Sequence, residues 1–152
     1  MWLPFGFWDV GDELVARVWA DDSDPDLDVG FATAHQAGAS GPLETMTGAN
    51  RLGANGPFAR SVTATGYPDG SAVCSTTTSK QDTFQLRVDC SGFATGTSGG
   101  PFVADADPHT QLGTVVGVVG GFETGGDTDD VSYSSYFDGD VIALYRQATS
   151  RP

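Results

Sequence analysis

Glycine, placed between short β-branched runs, constrains this chain most. Twenty-one of its 152 residues are glycine, about twice the usual share of roughly 7%. Frequent chain reversals between short Val-, Thr- and Phe-rich runs describe turn-rich, all-β structure. The hydrophobic fraction of 39% supplies enough apolar surface for one packed domain rather than a disordered chain.

Residues 13–19, 28–33, 61–67, 83–89, 101–104, 112–119 and 131–137 read as strands. The run 83–89 alternates, placing Phe84, Leu86 and Val88 on one face. The Val-rich run 112–119 reads as buried on both faces. Residues 21–28 form an acidic, turn-rich stretch, 36–42 a loop, 43–60 an irregular segment, and Gly-Tyr-Pro-Asp-Gly at 66–70 a turn. The tail differs. Val141, Leu144, Tyr145 and Ala148 follow i, i+3, i+4, i+7 spacing after the capping candidates Asp138 and Asp140, so a C-terminal helix is expected. There is no internal repeat and no linker, so residues 1–152 read as one domain.

Charge narrows the partners. The net charge is −13, from seven Lys plus Arg against twenty Asp plus Glu. A nucleic-acid surface needs clustered cations. None exists here, which argues against DNA, RNA and anionic membranes as partners. One-sided charge favours solubility instead, in a salty or extracellular medium. No run approaches the roughly 20 apolar residues of a membrane span. Residues 1–8 are apolar but lack a basic flank, the first cation being Arg17, so no signal peptide is read there. The two cysteines, Cys74 and Cys90, are compatible with one disulfide in an oxidising compartment. That mismatch with the missing signal suggests a natural start upstream of Met1. The acidic runs 21–28 and 127–130 lack the spaced ligands and central glycine of an EF-hand, and no metal site is expected.

The segment Thr95-Gly96-Thr97-Ser98-Gly99-Gly100-Pro101 carries the chemistry. A serine hydroxyl is a weak nucleophile that needs a base and a place for the developing oxyanion. Backbone amides supply that place when a tight turn aims two of them at one point. Glycines at 96, 99 and 100 permit such a turn around Ser98.

GTSGGP resembles the nucleophile motif of the chymotrypsin-like serine peptidases, usually GDSGGP, and bacterial secreted members are the closer likeness. The resemblance implies Ser98 as nucleophile and the amides of Gly96 and Ser98 as the oxyanion hole. Thr97 replaces the usual Asp, so activation through an ion pair with a freed N-terminus is not expected. Asp28-Val29-Gly30-Phe31-Ala32 resembles the element whose Asp orients the catalytic imidazole, in the family order of Asp before Ser. Gly66-Tyr67-Pro68 resembles a bacterial feature upstream of the nucleophile. Cys74 and Cys90 flank the strand before the nucleophile loop, and the resemblance implies that they pair. Residues 117–121 resemble the strand that pairs with substrate. The substrate pocket is then expected at Gly92, Phe93 and Ala94, with walls from Gly120, Gly121 and Phe122 and from Ser132, Tyr133 and Ser134. These stretches carry no charge, implying a small or apolar substrate side chain. The implied fold is an antiparallel β-barrel with a C-terminal helix. Residues 36–152 would form a nearly complete second barrel and residues 1–35 a remnant of the first. Peptides are the implied substrate, an extracellular location is implied, and no cofactor is needed.

The histidine of the triad is missing. Only 27 residues precede Asp28, and none is His. His35, His109 and Lys80 have no motif support as the base. Three alternatives stay open: a shortened chain, a non-catalytic peptide-binding relative, or a base supplied by another chain. An incomplete first barrel would also expose sheet edges and apolar surface, favouring self-association or a partner.

Overall fold

The computed structural model describes residues 5–38, 41–68, 70–126 and 128–150. The reading of a turn at 66–70, the loop at 36–42, the apolar start at 1–8 and the acidic run at 127–130 each fall partly outside these residues. Ten strands and three α-helices occur among the described residues. They are β1 (Asp9–Val15), α1 (Arg17–Asp22), β2 (Gly30–His35), α2 (Glu44–Thr47), β3 (Arg51–Leu52), β4 (Ser61–Gly66), β5 (Ala72–Thr77), β6 (Ser79–Asp82), β7 (Gln85–Asp89), β8 (Pro101–Ala104), β9 (Thr114–Val118), β10 (Val131–Ser135) and α3 (Gly139–Thr149).

Among the described residues these strands make three sheets, mostly antiparallel as expected, and no barrel closes. The five-stranded sheet runs β3-β9-β8-β4-β5, the three-stranded sheet β10-β7-β6, and β1 pairs with β2 alone. The chain crosses from β5 to β6 at Thr78, whose amide turns to the Arg60 carbonyl (2.9 Å). That break ends one ladder and starts another. All pairings are antiparallel except β3 with β9.

Two apolar clusters hold the sheets. Val62, Ala64, Val88, Phe93, Phe102 and Ala104 meet between the two larger sheets. Val29, Phe137, Val141 and Leu144 pack α3 against β2 and the β9 side of the five-stranded sheet, with Leu14 and Phe31 at their margin. Leu86 and Val88 are buried as the alternation requires, but Phe84 is 45% exposed. It lies in the turn before β7, where the period of two has not begun. The run 112–119 is less enclosed than expected: in β9 only Gly117 is fully buried.

The strand expected over 13–19 ends at Val15, and α1 follows. A short apolar run carries no length signal to separate helix from strand. The C-terminal helix is present, with Asp138 Oδ1 accepting from the Asp140 amide at 2.8 Å as an N-cap.

Cys74 and Cys90 form a disulfide between β5 and the end of β7, 16 residues apart in sequence. It joins the two larger sheets at the edge of the core. Closing a loop of that length restricts the unfolded chain by about 3 kcal/mol. Replacing both cysteines with Ala is therefore expected to lower the unfolding free energy by about 3 kcal/mol. Urea denaturation checks it: reductant should shift the wild-type midpoint and leave the double variant unmoved.

Candidate active site

The Ser98 turn is built from the backbone outward. Thr97 is buried, and its hydroxyl donates to the Ala94 carbonyl at 3.0 Å. Gly99 donates to Val119 O and Val119 donates to Gly100 O, each at 2.8 Å, so the turn is laced to the chain leaving β9. Gly100 donates to Thr97 O at 2.9 Å. A Cβ at Gly100 would lie 2.1 Å from the Thr65 carbonyl oxygen, so only glycine lets the turn sit this close to β4. These contacts leave Ser98 exposed.

The amides divide into two sets. Those of Thr97, Gly99 and Gly100 are engaged within the protein. Those of Gly96 and Ser98 have no hydrogen bond among the described residues. Gly96 adopts φ +101°, a backbone conformation open to glycine.

Asp28 arrives from the opposite side. It ends a 3-10 turn, Pro25–Leu27, and precedes the buried Val29 at the entry to β2. Its Oδ2 accepts from the Gly121 amide at 2.5 Å. Cβ atoms at Gly120 or Gly121 would come within 3.2 or 3.1 Å of that oxygen, so bare backbone is what admits the carboxylate here. Asp28 and Ser98 border one open cleft of about 420 Å³, together with Gly30, Gly99 and residues 118–121.

A second cavity, of about 260 Å³, opens on the other side of Ser98. It is lined by residues 93–98, Val119, Gly125, Gly126, Thr128 and Asp129. Phe93 and Ala94 of the expected pocket border it, whereas Gly120 and Gly121 border the Asp28 cleft. Gly92 and Phe122 border neither, and the Phe122 ring stands edge-on to Tyr133 at 5.2 Å. Ser132, Tyr133 and Ser134 also border neither cavity; they are buried in β10. Ser134 is spent on structure, its hydroxyl accepting from Val118 N and donating to Ser135 O.

Sequence reading missed Gly125, Gly126, Thr128 and Asp129 as cavity wall. What brings them there is a non-local pair of backbone bonds: Phe93 N donates to Asp129 O and Cys90 N to Asp130 O, each at 2.8 Å. Only the acidic character of that run was visible in advance.

Neither histidine lines either cavity. His35 closes β2, paired with Asp9, five residues beyond Gly30. At about 3.3 Å per strand residue that end lies roughly 16 Å along the strand from the cleft. His109 sits in a turn capped by Asp107, whose carboxyl is held below its ordinary range by the backbone amides of Thr110 and His109. Lys80 lies over the Phe58 ring, 5.0 Å from its centroid.

No family model and no curated protein matches this sequence. Solved structures do match the fold. Protease Anisep from Arthrobacter nicotinovorans superposes with a TM-score of 0.81 at 20% identity, over 97% of this chain and 69% of that one. The thermostable serine protease AL20 from an extremophilic microorganism gives 0.80 at 20% identity, over 98% and 71%. This chain has the chymotrypsin-like serine protease fold. A Glu endopeptidase structure agrees, with a TM-score of 0.74 at 13% identity over 96% of this chain and 66% of that one. At these identities the likeness concerns the chymotrypsin-like fold alone, and the chain spans about 70% of the length of the first two proteases.

The packing at Gly100 gives a stability test. Gly100→Ala forces a side-chain carbon against backbone, and overpacking costs typically 1–3 kcal/mol. Gly139→Ala enters open space and should cost less than about 0.5 kcal/mol. Parallel urea titrations of the two variants check the difference.

Proposed function

We propose that this chain is a serine endopeptidase-type domain in which Ser98 is the nucleophile and Asp28 the carboxylate that orients an imidazole. The observation that carries this reading is the single cleft bordered by both side chains. The two unengaged amides, at Gly96 and Ser98, support it, because an oxyanion needs donors with no other partner.

The chemistry divides among these groups. Ser98 Oγ attacks a peptide carbonyl carbon while the imidazole takes its proton. The carbonyl oxygen, now negative, lies at the Gly96 and Ser98 amides. As the C–N bond breaks, the imidazolium returns the proton to the leaving amine. Water then attacks the acyl ester with the same base, releasing the acid and restoring the serine. Asp28 holds the imidazolium throughout. No described histidine borders the cleft, so the base comes from outside the described residues and this chain alone is impaired. In this reading, residues 1–35 belong to a first barrel and residues 36–152 to a second. The exposed apolar residues of the N-terminal region, Phe7, Val10 and Trp19 among them, then face the remainder of that barrel or a partner chain. The disulfide fits an extracellular setting.

A second reading is favoured by that same lack of a base: a non-catalytic peptide-binding module on this fold. A fluorophosphonate probe separates them. The endopeptidase reading expects Ser98 to be labelled, with Ser98→Ala unlabelled, at a rate within the roughly 10³–10⁴-fold residual enhancement that survives loss of a triad member. Mass spectrometry of the labelled peptide identifies the site. Labelling no faster than that of a free serine would favour the binding module.

A further inference from the structure

The sequence contains two asparagines, Asn50 and Asn55, and both are exposed. The fold treats them differently. Asn50 Oδ1 accepts from the Gly113 amide at 2.7 Å, which pins its side chain. The residue after it, Arg51, has its own amide committed to the Gly113 carbonyl at 2.9 Å. At Asn55 neither restraint is present. Among the described residues its side chain enters no hydrogen bond, and the amide of the following Gly56 donates to no acceptor. Gly56 also lacks the Cβ that would shield its nitrogen. Asn55 itself holds φ +55°, the left-handed conformation that asparagine tolerates better than most residues. The segment there is neither helix nor strand, so no ladder holds the Gly56 amide away from its neighbour.

A cation stands beside the same amide. A Cβ built on Gly56 would lie 3.4 Å from Arg60 Nη1. A neighbouring positive charge favours the anionic form of a group. The attacking form of a peptide nitrogen is its anion, and the addition intermediate at the side-chain carbonyl carries an oxyanion. A guanidinium at this place lowers the cost of both. The reaction balances with water as its sole co-reactant. Gly56 N loses its proton to solvent and bonds to Asn55 Cγ. The bond from Cγ to the side-chain nitrogen breaks, ammonia leaves, and a five-membered cyclic imide remains. Water then opens the imide at one of its two carbonyls. Opening at Cγ leaves aspartate, and opening at the main-chain carbonyl leaves isoaspartate, whose backbone runs through the former side chain.

We propose that Asn55-Gly56 is a self-modifying site, at which the folded chain deamidates and isomerises while Asn50 is spared. The inference is independent of the endopeptidase-type reading. Its structural consequence follows from two anchors on either side of the reacting bond. Asn55 N donates to the Phe137 carbonyl at 2.8 Å, and the Gly56 carbonyl accepts from Tyr136 Oη at 2.6 Å. Isoaspartate inserts one more backbone carbon between these anchors, so the spacing that lets both form is lost. Phe137 packs with Val29, the neighbour of Asp28, and Ala54 lies at the margin of that cluster. The modification therefore loosens the support behind the carboxylate side of the cleft.

Peptide mapping by mass spectrometry, after the whole folded chain is held in warm, mildly alkaline buffer, reads the reaction directly. The peptide holding Asn55 should gain the mass of an amide-to-acid exchange and separate into two isomers, while the peptide holding Asn50 stays unchanged. Gly56→Ala should slow the exchange about tenfold or more by shielding the nitrogen. The added methyl meets only the flexible Arg60 side chain, so the variant remains folded, as circular dichroism should show. Arg60→Gln should slow it severalfold. The isoaspartate form, isolated by ion exchange, should unfold at lower urea than Asn55→Asp, which has the same charge without the extra backbone carbon. An Asn55 amide that survives in the folded chain but is lost in urea overturns the proposal, because the fold would then protect it. Equal loss at Asn50, or an unchanged rate in Gly56→Ala, overturns it as well. Equal urea midpoints for the isoaspartate form and Asn55→Asp would overturn the structural consequence.

Discussion

The geometry of the cleft depends on how the segment before Asp28 is fixed to the body of the molecule. The Pro25 carbonyl accepts from Gln85 Nε2 at 2.8 Å and from Ser135 Oγ at 3.0 Å. Gln85 Nε2 also donates to Asp26 Oδ1 at 3.0 Å. Gln85 and Ser135 stand opposite each other on β7 and β10, and both are almost fully buried. A buried carbonyl left without a donor is costly, on the order of 1–3 kcal/mol. Supplying two donors from neighbouring strands therefore selects one docking position for the 3-10 turn. Val29 and Leu27 add apolar contact with Phe137 and α3. Asp28 then has little freedom except toward Gly121.

The opposite wall depends on a different economy. Around Ser98 the amides of Thr97, Gly99 and Gly100 are engaged within the protein, and the turn is pressed onto β4 where no side chain would fit. That lacing leaves the amides of Gly96 and Ser98 without a hydrogen bond among the described residues, as the proposed oxyanion role requires. Preorganised donors act without reorganisation when charge develops in front of them. Residues 93–98 also form one wall of the neighbouring cavity, so the Ser98 turn and that cavity share a frame.

Much of this was legible in residue order because it is local. The GTSGGP turn, the Leu86–Val88 face of β7 and the capped spacing of α3 each express themselves within about ten residues. Other elements were hidden for definite reasons. β5 and β6 are rich in Ser, Thr and exposed positions, so no alternation of polarity marks them. α1 follows β1 after a single residue, with Val18 and Trp19 continuing an apolar pattern that suits either element. The parallel contact of β3 with β9 spans about sixty residues and involves two register pairs. Ser132 and Ser134 look like solvent-facing positions on a strand, yet β10 is covered on both faces. The wall at Gly125, Gly126, Thr128 and Asp129 is held by bonds between distant backbones, and a sequence carries no mark of those.

The disulfide unites the five-stranded and three-stranded sheets, whereas among the described residues the β1–β2 pair shares no strand pairing with either. Its attachment is through side chains and the Pro25 carbonyl. Elements tied by fewer backbone contacts open at lower free energy than the body they rest on. Asp28 thus stands at the junction where the N-terminal ribbon meets the body, while Ser98 belongs to the body itself. A molecule bound between Asp28 and Ser98 would act as a clasp, tying that junction to the body.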